Sequence, residues 1–312
     1  MAVQPQLLKL LGAEEVGENF NDRSEGKRFA LKIKIISDTT CDLPEQLLKE
    51  YQITLLPLHI TKGEESLLDG VQIMPSDIFS YVDAGGEICT TASINPQEYV
   101  DAFAAYRAAY DAVIVITIGS GFSSCYQNAC VAARQFEQVY VVDSANLSSG
   151  QGLLVLLAAQ LAQMQQMEPQ QICQKLNEAA QDADASFILD RLDYMKKGGR
   201  CSSVTALGAN LLKLKPCIEV KDGKMSVGKK YRGSFERVIE QYTADRLKDY
   251  CGTDGTAIVV HPAAQAEAVA AACRVLEQDG RFEQIIVARA GCTVACHCGP
   301  NTVGVMFFKN PQ

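Results

Sequence analysis

The stretch DAVIVITIG, residues 111–119, limits the fold more than any other part of the chain. A strand with one wet face alternates apolar and polar residues. This one does not, so both of its faces must be covered, as in a parallel sheet flanked by helices. Its neighbours fit that frame. KIKIISD (32–38), ITLLPLHI (53–60) and QVYVVDS (138–144) read as further strands. PEQLLKEY (44–51), PSDIFSYVDAG (75–85), PQEYVDAFAAYRAAY (96–110) and SSCYQNACVAARQF (123–136) read as helices, three of them opened by proline. Residues 150 to 183 read as helical throughout. Strands alternating with helices predict a doubly wound, mainly parallel α/β/α domain.

The second half has a different texture. SFILD (186–190) leads through LDYMKKGGR to a short helix, and KPCIEVKDGKMSVGKKYRG (215–233) reads as a hairpin turned at Asp222-Gly223. A helix over 234–250, strand TAIVVH (256–261), a helix over 263–279, and strands QIIVARA (284–290) and TVGVMFF (302–308) complete an α+β domain with a mixed or antiparallel sheet. A chain of 312 residues exceeds one ordinary domain of about 150. We therefore expect an extension over residues 1–30, an N-terminal domain over 31–175 and a C-terminal domain over 176–312.

Charge excludes one class of partner. The net charge of −8 argues against nucleic-acid binding, which calls for a basic stripe. The opening residues lack a basic region followed by an apolar core, and the greasiest run, 152–162, is too short to span a bilayer. These point to a cytoplasmic protein whose 12 cysteines are reduced. They form no CxxC pair, and several lie on apolar helical faces as small hydrophobes.

Ligands of open α/β sheets bind beyond the carboxyl ends of the strands. Those ends here are Ser37-Asp38-Thr39-Thr40, Gly119-Ser120-Gly121-Phe122-Ser123-Ser124 and Asp143-Ser144, with Thr90-Thr91-Ala92-Ser93 before another helix. Hydroxyls beside helix-start amides suit a carboxylate or phosphate; each taken alone also suits an N-cap. No dinucleotide fingerprint, P-loop or GxSxG elbow occurs. His59 and His261, at strand ends, read as structural. ACHCGPNTVGV (295–305) admits three readings: a metal cluster, a thiol beside its base, or a turn holding a histidine donor. It lacks the second ligand cluster of a structural zinc site, and adjacent residues seldom face one another as nucleophile and base. Lys196 to Arg200 and Lys229 to Gly233 are basic clusters in an acidic chain, fit for a solvated turn or for docking an acidic partner.

ISDTTCDLP (36–44), TASINPQEY (91–99), GFSSCYQNA (121–129), VVDS (141–144), LDYMKKGGR (192–200), KPCIEVKDGK (215–224), KYRG (230–233) and HCGPNTVG (297–304), in this order, resemble the DegV family, the fatty-acid-binding proteins of bacterial fatty acid kinase. The resemblance implies a two-domain α/β fold with one long-chain fatty acid in a tunnel between the domains. It implies carboxylate ligands Thr91, Ser123 and His297, with Asp38, Ser124 and Gly121 near the head group. It further implies that Arg200 and Arg232 face a separate ATP-binding kinase subunit, which makes the acyl phosphate. On this reading the chain is a lipid-binding subunit with no turnover, no metal and no cofactor besides its fatty acid, touching a membrane surface transiently to load or release lipid. Ala92, Ser124-Cys125 and Asn301 depart from common family residues. Two alternatives stand beside it: a cysteine- or zinc-dependent hydrolase centred on Cys296, His297 and Cys298, and a binding protein for another small anion.

Overall fold

The computed structural model describes residues 31–205, 214–253 and 255–310; the expected extension over 1–30 lies outside them. Strand β1 (Ile33–Asp38) is followed by helix α1 (Glu45–Glu50) and β2 (Thr54–Leu56). Strands β3 (His59–Lys62) and β4 (Glu65–Leu68), helix α2 (Pro75–Asp83) and the short β5 (Thr90–Ala92) come next. Helix α3 (Pro96–Arg107), β6 (Ala112–Thr117), α4 (Cys125–Ala133), β7 (Val139–Asp143), α5 (Ser149–Met164) and α6 (Pro169–Asp182) complete the first half.

Strands β2, β1, β6 and β7 lie side by side in that order, every pair parallel. All of β6 is buried, as its unbroken apolar run requires. Strand order reverses between β1 and β6, so the crevice for a ligand opens beyond their carboxyl ends. Asp38 ties the two ends together: one carboxylate oxygen accepts the Ile118 N–H at 2.7 Å, and the other accepts the Thr40 N–H at 3.1 Å.

ITLLPLHI was expected to form one strand and forms two. Pro57 has no N–H to give a ladder, so β2 stays with β1 while β3 departs and pairs antiparallel with β4 and β5. That pairing sets Thr91 opposite Ile60. The expected helix over 150–183 is also two. Gln165 ends α5 in the left-handed region (φ 54), and Pro169 opens α6.

The second half comprises β8 (Ala183–Ile188), α7 (Asp193–Gly198), α8 (Ser202–Thr205), the hairpin β9 (Lys215–Lys221) and β10 (Lys224–Tyr231), and α9 (Phe235–Arg246). Then follow β11 (Gly255–His261), α10 (Ala266–Asp279), β12 (Phe282–Arg289), α11 (Cys292–Cys298) and β13 (Val303–Phe308). Its sheet runs β10-β9-β8-β13-β11-β12 and is mixed: β11 pairs with β12 in parallel and with β13 antiparallel. Helix α5 lies between the two sheets, packed on β1 and β6 on one side and on β8 and β13 on the other. Its first turns are buried all round, so one continuous core runs from Ile36 and Ile114 to Phe187 and Met306. The two halves therefore share a core, and a long groove remains between them at the carboxyl ends of the parallel strands.

Candidate functional site

That groove is a cleft of about 390 Å³, within the range of small-molecule sites. Leu58, Ile118, Phe122, Leu147, Met195 and Met225 supply apolar wall, and Thr91, Ser93, Ser120, Ser123 and Ser124 bring hydroxyls to the lining. Leu147, Val294 and Cys298 are shared with a narrow apolar recess lined also by Phe187, Val260 and Met306. The cleft thus has a polar end and a greasy one.

At the polar end Thr91 Oγ1 and His297 Nε2 are 3.0 Å apart. The residues come from opposite halves of the chain, one on β5 and the other in the last turn of α11. The other imidazole nitrogen, Nδ1, is buried without a hydrogen-bond partner. It packs against Gly198, where a β-carbon would lie 2.1 Å from it. This fixes the tautomer: the bare nitrogen is Nδ1 and the proton sits on Nε2, aimed at Thr91 and the cleft. Burial, with the Arg200 guanidinium adding to it, lowers the His297 pKa to about 4, so at neutral pH the ring is an uncharged donor.

Helix α11 is too short to hold itself in place, and its Gly291 N-cap has no side chain to bond the first amides. Two aspartates from the other half do so. Asp42 accepts the Gly291 N–H at 2.7 Å. Asp69 accepts the Cys292 and Thr293 N–H groups at 2.8 and 2.9 Å and the Thr293 hydroxyl at 2.6 Å. Burial raises the Asp42 pKa well above the usual carboxylate range, although Ser148 and Gly291 donate to it. On the opposite wall Asn128 donates to the Ile94 carbonyl at 2.7 Å and so ties α4 to the loop that follows Thr91. Residues 292–298 form a helix with His297 in its last turn, and the turn expected at Gly299-Pro300-Asn301 follows it, Gly299 bending the chain (φ 73).

The DegV family profile, described as an uncharacterised protein family, matches residues 32–310. This chain belongs to the DegV family. A DegV domain-containing protein of Clostridium acetobutylicum is 32% identical over 281 residues, 89% of this chain and 99% of its own. A fatty acid-binding protein of Thermotoga maritima is 27% identical, covering 88% and 96%. Among solved structures, a fatty-acid-binding DegV family protein from Thermus thermophilus superposes with a TM-score of 0.83 at 26% identity, covering 89% of this chain and 99% of that one.

In this DegV chain Thr91, Ser123 and His297 all line the cleft. Ser123 Oγ donates to Cys125 Sγ at 3.2 Å and accepts the Cys125 N–H at 3.3 Å, a local cap it would have to share with a ligand. Ser124 lines the cleft too; Gly121 does not, and a β-carbon on it would come 2.2 Å from the Gly223 carbonyl oxygen. That close approach seats the tip of the β9–β10 hairpin against the loop that carries Ser120 and Phe122. Asp38 does not line it; its carboxylate is spent on Ile118, Thr40 and Gln151. Arg200 lines the cleft beside His297 and donates to the Gly198 carbonyl at 2.8 Å. Arg232 is exposed beyond the end of β10.

The remaining histidines are engaged elsewhere. His59 bonds Glu98 at 2.9 Å, and His261 Nδ1 accepts the Ala264 N–H at 3.1 Å. Cys298 is buried and its thiol is pushed up by desolvation; Cys296 is pushed up by its hydrogen bond with Cys89 and by burial. Neither favours the thiolate a nucleophile needs. Among the described residues no helix is long and apolar enough to cross a membrane, and no group of three or more His, Cys, Asp or Glu is placed to hold a metal ion. Asp69, Gly198 and Asn128 were missed as site residues. The Gly-Gly of KKGGR was the one visible signal, because paired glycines mark a close approach or a positive φ.

Proposed function

We propose that this chain binds a long-chain fatty acid in the cleft, holds its carboxylate with Thr91, Ser123 and His297, and presents it to a separate ATP-binding kinase subunit that makes the acyl phosphate. The observation that carries the binding part is the Thr91–His297 pair at 3.0 Å in a cleft that sets hydroxyls beside an apolar wall. A carboxylate between them accepts the His297 Nε2–H and the Thr91 and Ser123 hydroxyls, which satisfies its lone pairs away from water. Arg200 supplies the nearby positive charge. Each buried methylene contributes about 0.8 kcal/mol, so a long acyl chain brings on the order of 10 kcal/mol before ordering costs. The relatives named for fatty-acid binding in Thermotoga and Thermus support the ligand class.

Presentation to a kinase rests on the family resemblance and on two basic clusters flanking the hairpin, with Arg200 and Arg232 as the docking positions. In this role the chain turns nothing over itself, works in the cytoplasm and meets a membrane surface only to exchange lipid. The binding claim is tested by extracting purified protein with organic solvent, identifying lipids by mass spectrometry and titrating delipidated protein with saturated and unsaturated long-chain acids. Recovery of no fatty acid together with no titratable binding would sink it. The docking claim is tested by Arg232→Ala, which should cut acyl-phosphate formation with the kinase subunit while leaving the fatty-acid Kd unchanged. Undiminished acyl-phosphate formation would remove Arg232 from that role.

A further inference from the structure

We propose that β12 is a docking edge for a second copy of this chain, the two strands pairing antiparallel about a two-fold axis at Ile286. β12 ends its sheet and pairs only with β11. The Ala290 N–H donates to the His261 carbonyl at 3.0 Å, so by strand alternation Ala288, Ile286 and Gln284 also turn their backbone polar groups to β11. Ile285, Val287 and Arg289 turn theirs to the free edge, where no hydrogen bond reaches them among the described residues. Val287 is 48% exposed. Other edges in this fold are guarded. β2, β4, β5 and β7 have only three to five residues, and β10 carries Lys224, Lys229, Lys230 and a break in register. Short length, lysines and bulges are the usual defences against strand addition. β12 has eight residues, and Gln284 to Ala288 include no charge, proline or glycine. Its one irregularity, the extra residue Glu283 between the Gly255–Phe282 and Thr256–Gln284 pairs, stands near the start of the strand.

The occupant is a second copy because this edge is complementary to itself. With Ile286 on the axis, Ile285 of one copy exchanges both backbone hydrogen bonds with Val287 of the other, and Val287 does the same with the other Ile285. Their apolar side chains lie on one face and cover one another across the junction. Equidistant from the axis, Arg289 of each copy comes beside Glu283 of the other. Both are exposed, and neither has an ion-pair partner among the described residues. No residue of β12 lines the cleft, and the β9–β10 hairpin is at the opposite edge of the sheet, so the dimer leaves the candidate site open. One strand pair buries less than the roughly 800 Å² per partner of a standard interface, which puts the dimer Kd on the order of 10–100 µM.

The test is sedimentation velocity of the full chain at concentrations on either side of that Kd, which should show monomer passing to dimer. Val287→Pro removes an N–H that faces the free edge and no bond to β11, so the fold should survive while dimerisation weakens at least about tenfold. Arg289→Glu and Glu283→Arg, which leave the backbone alone, should each weaken it, and the double variant should restore it. In hydrogen exchange the Ile285 and Val287 amides should gain protection as concentration rises, while that of Ile286, already turned to β11, stays constant. A chain still monomeric about tenfold above the expected Kd, a dimer indifferent to Val287→Pro, or charge reversals that the double variant fails to rescue would overturn the proposal. So would Ile285 and Val287 amides equally protected at every concentration, the mark of an edge covered within one chain. Fatty-acid binding is no part of these readouts, so they stand or fall apart from the proposed function.

Discussion

Alanine at position 198 separates the binding site from the fold. A β-carbon there would lie 2.1 Å from His297 Nδ1, 3.0 Å from Cε1 and 3.2 Å from Cγ. Ordinary contact begins at 3.4 Å, so the imidazole must retreat by about 1.3 Å. Its far nitrogen is already 3.0 Å from Thr91. The ring therefore cannot slide along its own length; it must swing, and Nε2 leaves the cleft. A hydrogen bond to a charged group is worth about 1.5–3 kcal/mol, so fatty-acid affinity should fall roughly 10- to 150-fold. The backbone has no objection to the change. Gly198 ends α7 outside the left-handed region, which its neighbour Gly199 occupies (φ 67), and alanine is the better helix former by about 1 kcal/mol. Isothermal titration with a long-chain acid and with the alcohol of equal length distinguishes the two effects: the acid should lose affinity and the alcohol should not. A Gly198→Ala protein that unfolds like the native one and binds the acid within twofold of it would refute the placement of His297.

Asp69→Asn keeps the size of the side chain but replaces one acceptor oxygen by a donor, so it cannot serve Cys292, Thr293 and the Thr293 hydroxyl together. Loss of such a cap costs about 1–2 kcal/mol, read as a lower denaturation midpoint in urea; an unchanged midpoint would show that α11 is held by other means. A third prediction concerns pH. His297 titrates near 4 when folded against 6.5 ordinarily, so the unfolded chain takes up the proton first as the pH falls. Its contribution to stability is complete above about pH 6.5 and is lost toward about pH 4, with a ceiling of about 3 kcal/mol for this half-buried ring. Burial raises the Asp38 and Asp42 pKa values and acts in the opposite sense, so the measurement is the difference in unfolding free energy between native protein and His297→Gln. That difference should shift in favour of the variant as the pH drops from 7 to 4.5, and a constant difference would contradict a neutral, buried His297.

The sequence was most informative where a pattern is long. The apolar run 111–119 and the strand–helix alternation around it gave the parallel sheet, and Asp222-Gly223 gave the hairpin turn, both residues adopting positive φ (51 and 68). Short elements were opaque. Three-residue β5 carries no usable period, and the break of ITLLPLHI at Pro57 shows only when the partner strands are known. The thiol-rich 292–298 resists assignment because a helix buried nearly all round has no polar stripe to mark its period. Thr91, Ser123 and His297 were legible as polar residues beyond strand ends or through the resemblance. What could not be read was their support. Asp69 reaches Thr293 across 224 positions, and nothing local in LLDG announces a cap for a distant helix.

That cap has a consequence for when the protein becomes competent. Helix α11 has neither the length nor the cap to form alone, so it takes shape only against Asp42 and Asp69, after the second half has docked on the first. His297 is then among the last groups to reach its position during synthesis. An unfinished or half-folded chain offers Thr91 and Ser123 but no imidazole between them. On the proposed function, fatty-acid binding would thus follow the docking of the second half on the first, and a bound acyl chain would certify that the two halves have met.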